Sequence, residues 1–286
     1  MIEIAWVTSA STRQLISSER NLVASLQSDE IRIQPVVWDE PNDWSRFDAV
    51  IVRTTWDYHL KIDKFKQWLD HLDQLKIRVF NPADVIRWNL HKFYLRDLSR
   101  KGIPIIPTIF HPAGRKIDFD EISSDGWDRL IIKPAISATA HNLLKLNATN
   151  HRKFRPDIDN LVRDNDLLIQ KFQPEVTTSG EWSLVFFNSE YSHAILKLPQ
   201  NGDFRVQDNY GGSSQLKTPN CDTIAQATDI IRLLDKDLLY ARVDGIVVNQ
   251  QFLLMELELI EPDLFLMTDE IKDNFAQHIF RSLNIS

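Results

Sequence analysis

The sequence predicts an α/β protein in two parts, a small doubly wound domain followed by an α+β domain. Two observations predict this division. The first part, residues 1–88, alternates strand and helix patterns, whereas the second part, residues 89–286, consists mainly of consecutive strand patterns. A helix pattern and the proline-rich stretch IPIIPTIFHP, which we interpret as a connector, lie at the start of the second part.

Strand and helix patterns alternate regularly in the first part. We expect strands in IEIAWVT, IRIQPVVW, FDAVIVRTT and IRVFNP, and helices in TRQLISSERNLVASLQ and KIDKFKQWLDHLDQL. The third strand is continuously apolar, which is typical of a parallel strand covered on both faces. Ligands bind at the carboxyl ends of such strands, here at Thr8 and Ser9 and in the stretch RTTWDYH. No GxGxxG motif follows the first strand, so a dinucleotide-binding protein is poorly supported.

The second part begins with a helix pattern and continues in hairpins. The expected elements are a helix in DVIRWNLHKFYLRDLSRKG, strands in DRLIIKPAI, NDLLIQKFQP and EWSLVFFNSEYSHAILKLP, a helix from Thr223 to Leu239, and a closing hairpin in RVDGIVVNQQFLLMELELI.

Composition narrows the class of protein. The net charge is −7 and no basic stripe is visible, which argues against nucleic-acid binding. The single Cys221 excludes internal disulfides and fits a reducing compartment. No run reaches the ~18 apolar residues of a membrane span, and the first residues lack the pattern of a signal peptide. We therefore expect a cytoplasmic protein that binds neither nucleic acid nor membrane.

The stretch LLMELELIEP places carboxylates in an apolar strand. Alternation puts Glu256 and Glu258 on one face of the strand. If the hairpin turned through the three residues 249–251, Asp244 would lie opposite Glu256, whereas a two-residue turn would place Asp244 on the other face. Three converging carboxylates suit Mg²⁺ or Mn²⁺. The alternative is that Glu258 and Glu261 face solvent on an edge strand and bind nothing.

The sequence resembles the ATP-grasp superfamily, in particular its glutathione-synthetase-like and ribosomal-protein-glutamate-ligase-like members. Each motif is unspecific alone, but their order covers nearly the whole chain. The motifs are N-x-x-K (Asn89 to Lys92), a KP strand (Lys133 and Pro134), the strand LIQKF, GEWS (Gly180 to Ser183) where the family has Gly-x-Asp-x-Arg, Lys197, Arg205 with Gln207, and D…E-x-E (Asp244, Glu256, Glu258). The stretches GEWSLVFF and ELELIEP are similar to the branch of the cycloserine-ring-closing ligase. The resemblance implies a pre-ATP-grasp domain and an ATP-grasp domain of two subdomains, one bearing a lid (about residues 110–170) and one binding metal (about 171–286).

The resemblance also implies an ATP site. Its expected residues are Lys92, Lys133, Ser137, Thr139, Gln170, Lys171, Phe172, Glu181 and Gln207. The two lysines are expected at the phosphates, with Lys133 also near the adenine. The backbone of 170–172 is expected to read the adenine edge, and Glu181 to hold the ribose hydroxyls.

The implied catalytic groups are cations beside a metal. Lys197 and Arg205 are expected at the γ-phosphate and the developing acyl phosphate, with Arg242 steadying the intermediate. Asp244, Glu256 and Glu258 are expected to bind Mg²⁺. Two features depart from the family: Glu258 stands where the family has a metal-binding asparagine, and the loop AISATAHN lacks the usual glycines.

The function that follows is ADP-forming ligation of a carboxylate and an amine through an acyl phosphate, between two molecules or within one. We expect Arg53 to pair with the substrate carboxylate, Asp57 with its ammonium group and Trp56 to line the same site, unless RTTWDYH is only a structural strand end. Alternatives are an ATP-grasp kinase, a silent nucleotide-binding module and a hydrolase with paired carboxylates. The relatives are commonly dimers or tetramers, which leaves a homo-oligomer open.

Overall fold

The computed structural model describes residues 1–119, 122, 126–138, 143–147, 152–200, 206 and 211–284. Its strands form three sheets. The predicted Thr139, Arg205 and Gln207 lie outside the described residues.

The N-terminal sheet consists of four parallel strands in the order β2-β1-β3-β4. Its strands are β1 Ile2–Thr8, β2 Ile31–Val37, β3 Ala49–Thr54 and β4 Arg78–Phe80. Every residue of β3 is buried, as expected of a parallel strand covered on both faces. Helix α1 (Ser17–Leu26) packs on one face, and helix α2 (Ile62–Gln74) packs on the other. The doubly wound architecture is therefore confirmed.

The second sheet is antiparallel, in the order β5-β8-β6-β7. Its strands are β5 Thr108–His111, β6 Arg129–Pro134, β7 Leu144–Asn147 and β8 Leu167–Lys171. Helix α5 (Arg155–Asp164) covers one face through Ile158 and Val162. The proline-rich stretch is more than a connector, because it contains β5 and because Ile106 N donates to Leu254 O at 3.2 Å.

The third sheet is also antiparallel, in the order β11-β10-β9-β12-β13. Its strands are β9 Glu181–Phe187, β10 Glu190–Leu198, β11 Ser213–Leu216, β12 Tyr240–Val248 and β13 Gln251–Glu258. A single helical turn, α6 (Glu175–Thr178), precedes β9, and helix α7 (Cys221–Leu234) packs on the sheet. Helix α7 ends earlier than predicted, because Asp235 adopts a left-handed conformation at φ 49°.

The C-terminal helix α8 (Asp269–Leu283) was not predicted from the sequence. Thr268 caps its first turn by accepting a hydrogen bond from Ile271 N. Its apolar side chains, including Phe275 and Ile279, pack with those of α1 against the N-terminal sheet. The end of the chain therefore contributes to the core of the first part. Among the described residues, no helix is both long and apolar enough to cross a membrane.

The helix predicted in DVIRWNLHKFYLRDLSRKG is interrupted. It forms α3 (Ala83–Asn89) and α4 (Tyr94–Arg100). In the break, Lys92 N donates to Ala135 O at 2.8 Å, a contact with the residue that follows β6. The break therefore turns Lys92 toward the second sheet, whereas a continuous helix would leave it on a helical surface.

The hairpin of β12 and β13 turns through two residues, Asn249 and Gln250, and not through three. Both residues have positive φ, as a tight hairpin turn requires. A β-bulge between Asp244 and Gly245 adds one residue to β13, so that Asp244 still lies opposite Glu256. The predicted pairing is confirmed, but by a turn and a bulge together.

We expect the bulge to depend on Gly245. A Cβ atom there would lie 2.4 Å from Leu253 O and 2.5 Å from the Phe252 ring, and neither can move easily in the hairpin. Gly245→Ala should therefore lower the free energy of unfolding by about 2 kcal/mol, the usual cost of overpacking. Urea unfolding measures this loss, with the exposed Gln251→Ala as the control. Equal stability of both variants would contradict the expectation.

Candidate active site

A cavity of about 470 Å³ lies where the three sheets meet. Most of the predicted site residues that the structure describes line it. They are Trp56, Lys92, Lys133, Ser137, Gln170, Lys171, Phe172, Glu181, Lys197, Arg242, Asp244, Glu256 and Glu258. Arg53 and Asp57 are the described residues of that set that do not line it.

Two lysines from different parts of the chain meet at Glu256. Lys92 Nζ lies 3.0 Å from Glu256 Oε1 and donates to Ser137 O at 2.5 Å. Lys133 Nζ, from β6, lies 3.8 Å from Glu256 Oε2. Burial alone would raise the pKa of Glu256, but the two lysines hold it below its ordinary value. The site therefore holds an ionised carboxylate between two ammonium groups.

Lys197 from β10 makes a second pair. Its Nζ atom donates to Glu181 Oε1 at 2.8 Å and lies 3.9 Å from Asp244 Oδ1. Burial would lower the pKa of Lys197, but Asp244 and Glu181 raise it above its ordinary value. Lys197 is consequently a fixed positive charge at this end of the cavity.

Arg242 connects the carboxylates of β12 and β13. Its Nε and Nη2 atoms donate to Asp244 Oδ1 and Oδ2 at 3.0 and 2.9 Å, and Nη2 also contacts Glu258. Ser183 Oγ donates to the same Asp244 carboxylate. Burial would raise the pKa of Asp244, but Arg242 and Lys197 lower it.

The expected convergence of three carboxylates around one ion is not seen. Asp244 and Glu258 are held by Arg242, and Glu256 is held by the lysines. Within the described residues, no group of three or more His, Cys, Asp or Glu side chains is arranged to hold a metal ion. The expected pairing of Asp244 with Glu256 is present, although the turn differs from the expected one, and neighbouring cations separate the carboxylate groups.

The segment expected to read adenine makes strand contacts. Lys171 N donates to Pro107 O at 3.0 Å, and Phe172 N donates to Arg129 O at 2.9 Å. These two amide donors are therefore not available to an adenine base. The expectation that the backbone of 170–172 reads the adenine edge is corrected for these two amides. The Gln170 side chain donates to Thr108 Oγ1 at 3.1 Å.

Arg53 does not reach the cavity. It is 2% exposed, and its guanidinium lies 2.7 Å from Glu19 Oε1, which is itself 1% exposed. Its Nη2 atom donates to Pro262 O at 3.0 Å. The expectation that Arg53 is free to pair with a substrate carboxylate does not hold in this structure, because a buried carboxylate already occupies it.

Asp57 is also held by protein groups. It accepts hydrogen bonds from Trp38 Nε1 at 2.8 Å and from Lys61 Nζ at 2.7 Å. The neighbouring Trp56 does line the cavity, and its Nε1 atom donates to Glu261 O at 3.2 Å. Of the three residues expected at the substrate, the structure therefore brings Trp56 alone to the cavity.

Polar side chains of Asn89 and Tyr94 fix the main chain at the end of β13. Asn89 Nδ2 donates to Leu257 O at 2.8 Å, and Asn89 Oδ1 accepts from Leu259 N at 3.0 Å. The Tyr94 hydroxyl also bonds the amide and carbonyl of Leu257 at 2.9 Å. These side chains take the place of a neighbouring strand along the acidic strand. The N-x-x-K motif thus carries a positioning asparagine as well as Lys92.

Sequence reasoning missed several lining residues. Tyr58, Tyr94, Glu261, Asp263 and Phe265 also line the cavity. Glu261 is 9% exposed and does not face solvent. The one feature of the sequence that could have indicated Glu261 as a site residue is its place three residues after Glu258 and directly before a proline.

Two carboxyl groups of the cavity are shifted toward the neutral form. Burial, reinforced by Asp244, Glu256 and Glu261, raises the pKa of Glu258 to about 8 despite Arg242. Burial and Glu256 raise the pKa of Glu261 to about 7, against the opposing effect of Lys92 and Arg242. A cation entering the cavity would favour the ionised form of both.

These sheets and this cavity define the ATP-grasp fold. Solved ATP-grasp ligases share this fold with the chain.

The comparisons with known proteins point to a narrower group of ligases. Residues 4–81 match the family described as the N-terminal domain of D-cycloserine synthetase DcsG. The chain is similar to cycloserine biosynthesis protein DcsG of Streptomyces lavendulae, with 26% identity across 93% of this chain and 94% of that protein. The crystal structure of D-cycloserine synthetase DcsG has a TM-score of 0.85 at 24% identity, covering 98% of this chain and 99% of that one. D-alanine–D-alanine ligase from Bacillus anthracis complexed with ATP has a TM-score of 0.72 at 15% identity, covering 99% and 97%. The resemblance found in the sequence is confirmed.

Arg53 should be essential to stability. Arg53→Met leaves Glu19 buried without a cation, so we expect the free energy of unfolding to fall by about 3 kcal/mol. Urea unfolding measures the loss. The double variant Arg53→Met with Glu19→Gln should recover part of it, because the uncompensated charge is gone. A stable Arg53→Met protein with a raised KM for its acid would return Arg53 to the substrate site.

Glu261 should make the ligand-free protein less stable as the pH rises. The folded state keeps the proton up to about pH 7, whereas the unfolded carboxyl loses it near its ordinary pKa of 4.5. Between these values the folded state binds more protons, so stability falls with rising pH, by up to about 3 kcal/mol. Glu261→Gln should remove this part of the pH dependence, as measured by urea unfolding at about pH 5 and pH 8. Parallel pH profiles of the two proteins would contradict it.

Proposed function

We propose that this protein joins a small amino-acid-like carboxylate to an amine in an ATP-dependent reaction that releases ADP and phosphate. The observation that carries the proposal is the meeting of Lys92 and Lys133 at Glu256 in one cavity. A lysine from a helix break and a lysine from the second sheet, beside carboxylates of the third sheet, can hold a triphosphate and its counter-ion without a phosphate-binding glycine loop.

Lys92, Lys133 and Ser137 are proposed to bind the phosphates of ATP. The two lysines are the cations closest to Glu256, and Ser137 lies beside Lys92. Glu181, buried at the cavity wall, is proposed to accept hydrogen bonds from the ribose. Gln170, Lys171 and Phe172 remain the proposed adenine segment, through groups other than the two amides already bonded.

The carboxylates suit a hard divalent cation. Asp244, Glu256 and Glu258 all line the cavity and offer oxygen ligands. Burial raises the pKa of Glu258, with Asp244 and Glu256 adding to the effect, so a bound cation would favour its ionised form. We propose that they hold Mg²⁺, with Mn²⁺ as the alternative, and that lysine and arginine contacts rearrange when it binds. The ion would neutralise charge on the transferring phosphoryl group.

The proposed chemistry has two steps. A substrate carboxylate oxygen attacks the γ-phosphorus, and the bond to ADP breaks. An amine nitrogen then attacks the carbonyl carbon, the bond to phosphate breaks, and the nitrogen loses a proton. Lys197 and Arg242 are fixed cations that stabilise the developing charge, together with Arg205.

Ring closure is the form of this reaction that the similarity to D-cycloserine synthetase suggests. In that form the attacking nitrogen belongs to the same molecule as the activated carboxylate. Trp56 is proposed to bound the substrate end of the cavity, next to the N-terminal sheet. The domain division after residue 88 is part of the proposal, whereas the cytoplasmic location and a homo-oligomer stay predictions.

Hydroxamate formation tests the proposal directly. Hydroxylamine serves as a generic amine, and pooled D- and L-amino acids serve as carboxylates. Hydroxamate that requires both ATP and Mg²⁺ would support carboxylate activation. A stable phosphorylated product without hydroxamate would favour a kinase, and ATP binding without turnover would favour a silent binding module.

Glu256 should be required for turnover. Glu256→Gln removes the charge that the two lysines share, so we expect Mg²⁺-dependent ADP release to fall by at least about 100-fold, with the protein still folded. A coupled ADP assay measures the rate, and circular dichroism checks the fold. The exposed Glu190→Gln is the matched control and should retain full activity. Full activity of Glu256→Gln would refute its place in the site.

A further inference from the structure

We propose that Glu261 binds the ammonium group of the amino-acid substrate. The inference rests on the proposed function, because it names the chemical class that the same cavity takes. It replaces Asp57, whose carboxylate is held by Trp38 and Lys61.

Glu261 is held in place at the cavity wall. Its carbonyl accepts from Trp56 Nε1 at 3.2 Å, and the carbonyl of the next residue, Pro262, accepts from Arg53 at 3.0 Å. The Tyr240 hydroxyl donates to the preceding Ile260 O at 3.0 Å. The backbone around Glu261 is therefore fixed by the N-terminal part of the chain, while its side chain lines the cavity.

The other carboxylates of the cavity wall already have partners. Glu181 has Lys197, Glu256 has two lysines, and Asp244 and Glu258 have Arg242. Asp263 accepts from Phe265 N at 2.8 Å. In the described part of the chain, the Glu261 carboxylate has neither an ion pair nor a hydrogen bond, although it is 9% exposed.

A buried carboxylate without a partner is costly unless a ligand supplies one. Trp56 and Tyr58 line the same cavity, and aromatic rings attract a cation that lies over their faces. A primary ammonium has three donors and one positive charge, so it fits a single carboxylate beside aromatic rings. A metal ion is a poorer fit, because it requires several oxygen ligands.

Binding measurements test the inference without requiring catalysis. Isothermal titration and thermal shift compare D- and L-amino acids with their hydroxy-acid counterparts, such as alanine with lactate and serine with glycerate of the same configuration. The titrations are made with ATP and Mg²⁺ and without them. The wild type should bind one or more amino acids and prefer them to the matched hydroxy acids.

The variants separate charge from shape. Glu261→Gln should raise the Kd of the bound amino acid by about tenfold or more and bring the preference over the hydroxy acid close to one. Glu261→Asp keeps the charge and should retain part of the preference. Glu190→Gln is the exposed control and should match the wild type. The Kd of Mg·ATP should change by less than about twofold in all of them.

Three results would overturn the inference. They are an unchanged preference in Glu261→Gln, a loss of Mg·ATP binding without a loss of amino-acid preference, and a wild type that binds no amino acid of the panel. The hydroxamate assay keeps the two proposals apart. Amino acids that bind through Glu261 without ATP-dependent hydroxamate would refute the ligase and keep the ammonium site. ATP-dependent hydroxamate, together with an unchanged preference for amino acids in Glu261→Gln, would keep the ligase and refute the ammonium site.

Discussion

The structure depends on pairing buried carboxylates with cations from other strands. A charged carboxylate in an apolar strand is tolerated only when opposite charge lies close by. Lys92 comes from a helix break, Lys133 from the second sheet, and Lys197 and Arg242 from the third sheet. The pairs of Lys92 and Lys133 with Glu256 join distant parts of the chain, whereas Lys197 and Arg242 pair with carboxylates of their own sheet. The same groups that make burial of the acids possible are the groups a triphosphate and a divalent cation require, so folding and ligand binding use one set of charges.

Side chains from outside the third sheet hold its acidic strand in position. Asn89 and Tyr94 form hydrogen bonds with the main chain of Leu257. Further along, Asn81 Nδ2 donates to Leu259 O at 2.8 Å. Trp56 and Arg53 continue this contact beyond the strand. Displacement of any of these would move carboxylates relative to lysines. Arg53 was expected to bind substrate. It affects the site indirectly instead, because it holds the backbone of the segment that carries Glu261.

The proposed reaction has a clear electrostatic requirement. The lysines and Arg242 stand in ion pairs, so a nucleotide and a cation must exchange partners with them when they bind. Such an exchange costs little net Coulomb energy, because every charge finds a new opposite charge. Glu261 differs from the other acids, since its carboxylate forms no ion pair among the described side chains, although Lys92 and Arg242 act on it from a greater distance. Glu261 lines the cavity together with Trp56 and Tyr58, and its main-chain carbonyl accepts a hydrogen bond from Trp56.

The sequence by itself determined the fold class and most of the charged residues that line the cavity. These features can be recognised from neighbouring residues or from the order of motifs along the chain, as is the case for parallel strands, hairpins and the lysine and acid motifs. Only the tertiary structure decided the register of β12 against β13 and the ion pair that each charged side chain forms. The bulge before Gly245 restores a pairing that the two-residue turn would have lost, and the break before Tyr94 turns Lys92 inward. Arg53 shows the same limit, because the choice between a substrate and Glu19 depends on where α1 lies. Charges are read from sequence, but which charge meets which is fixed by packing between distant segments.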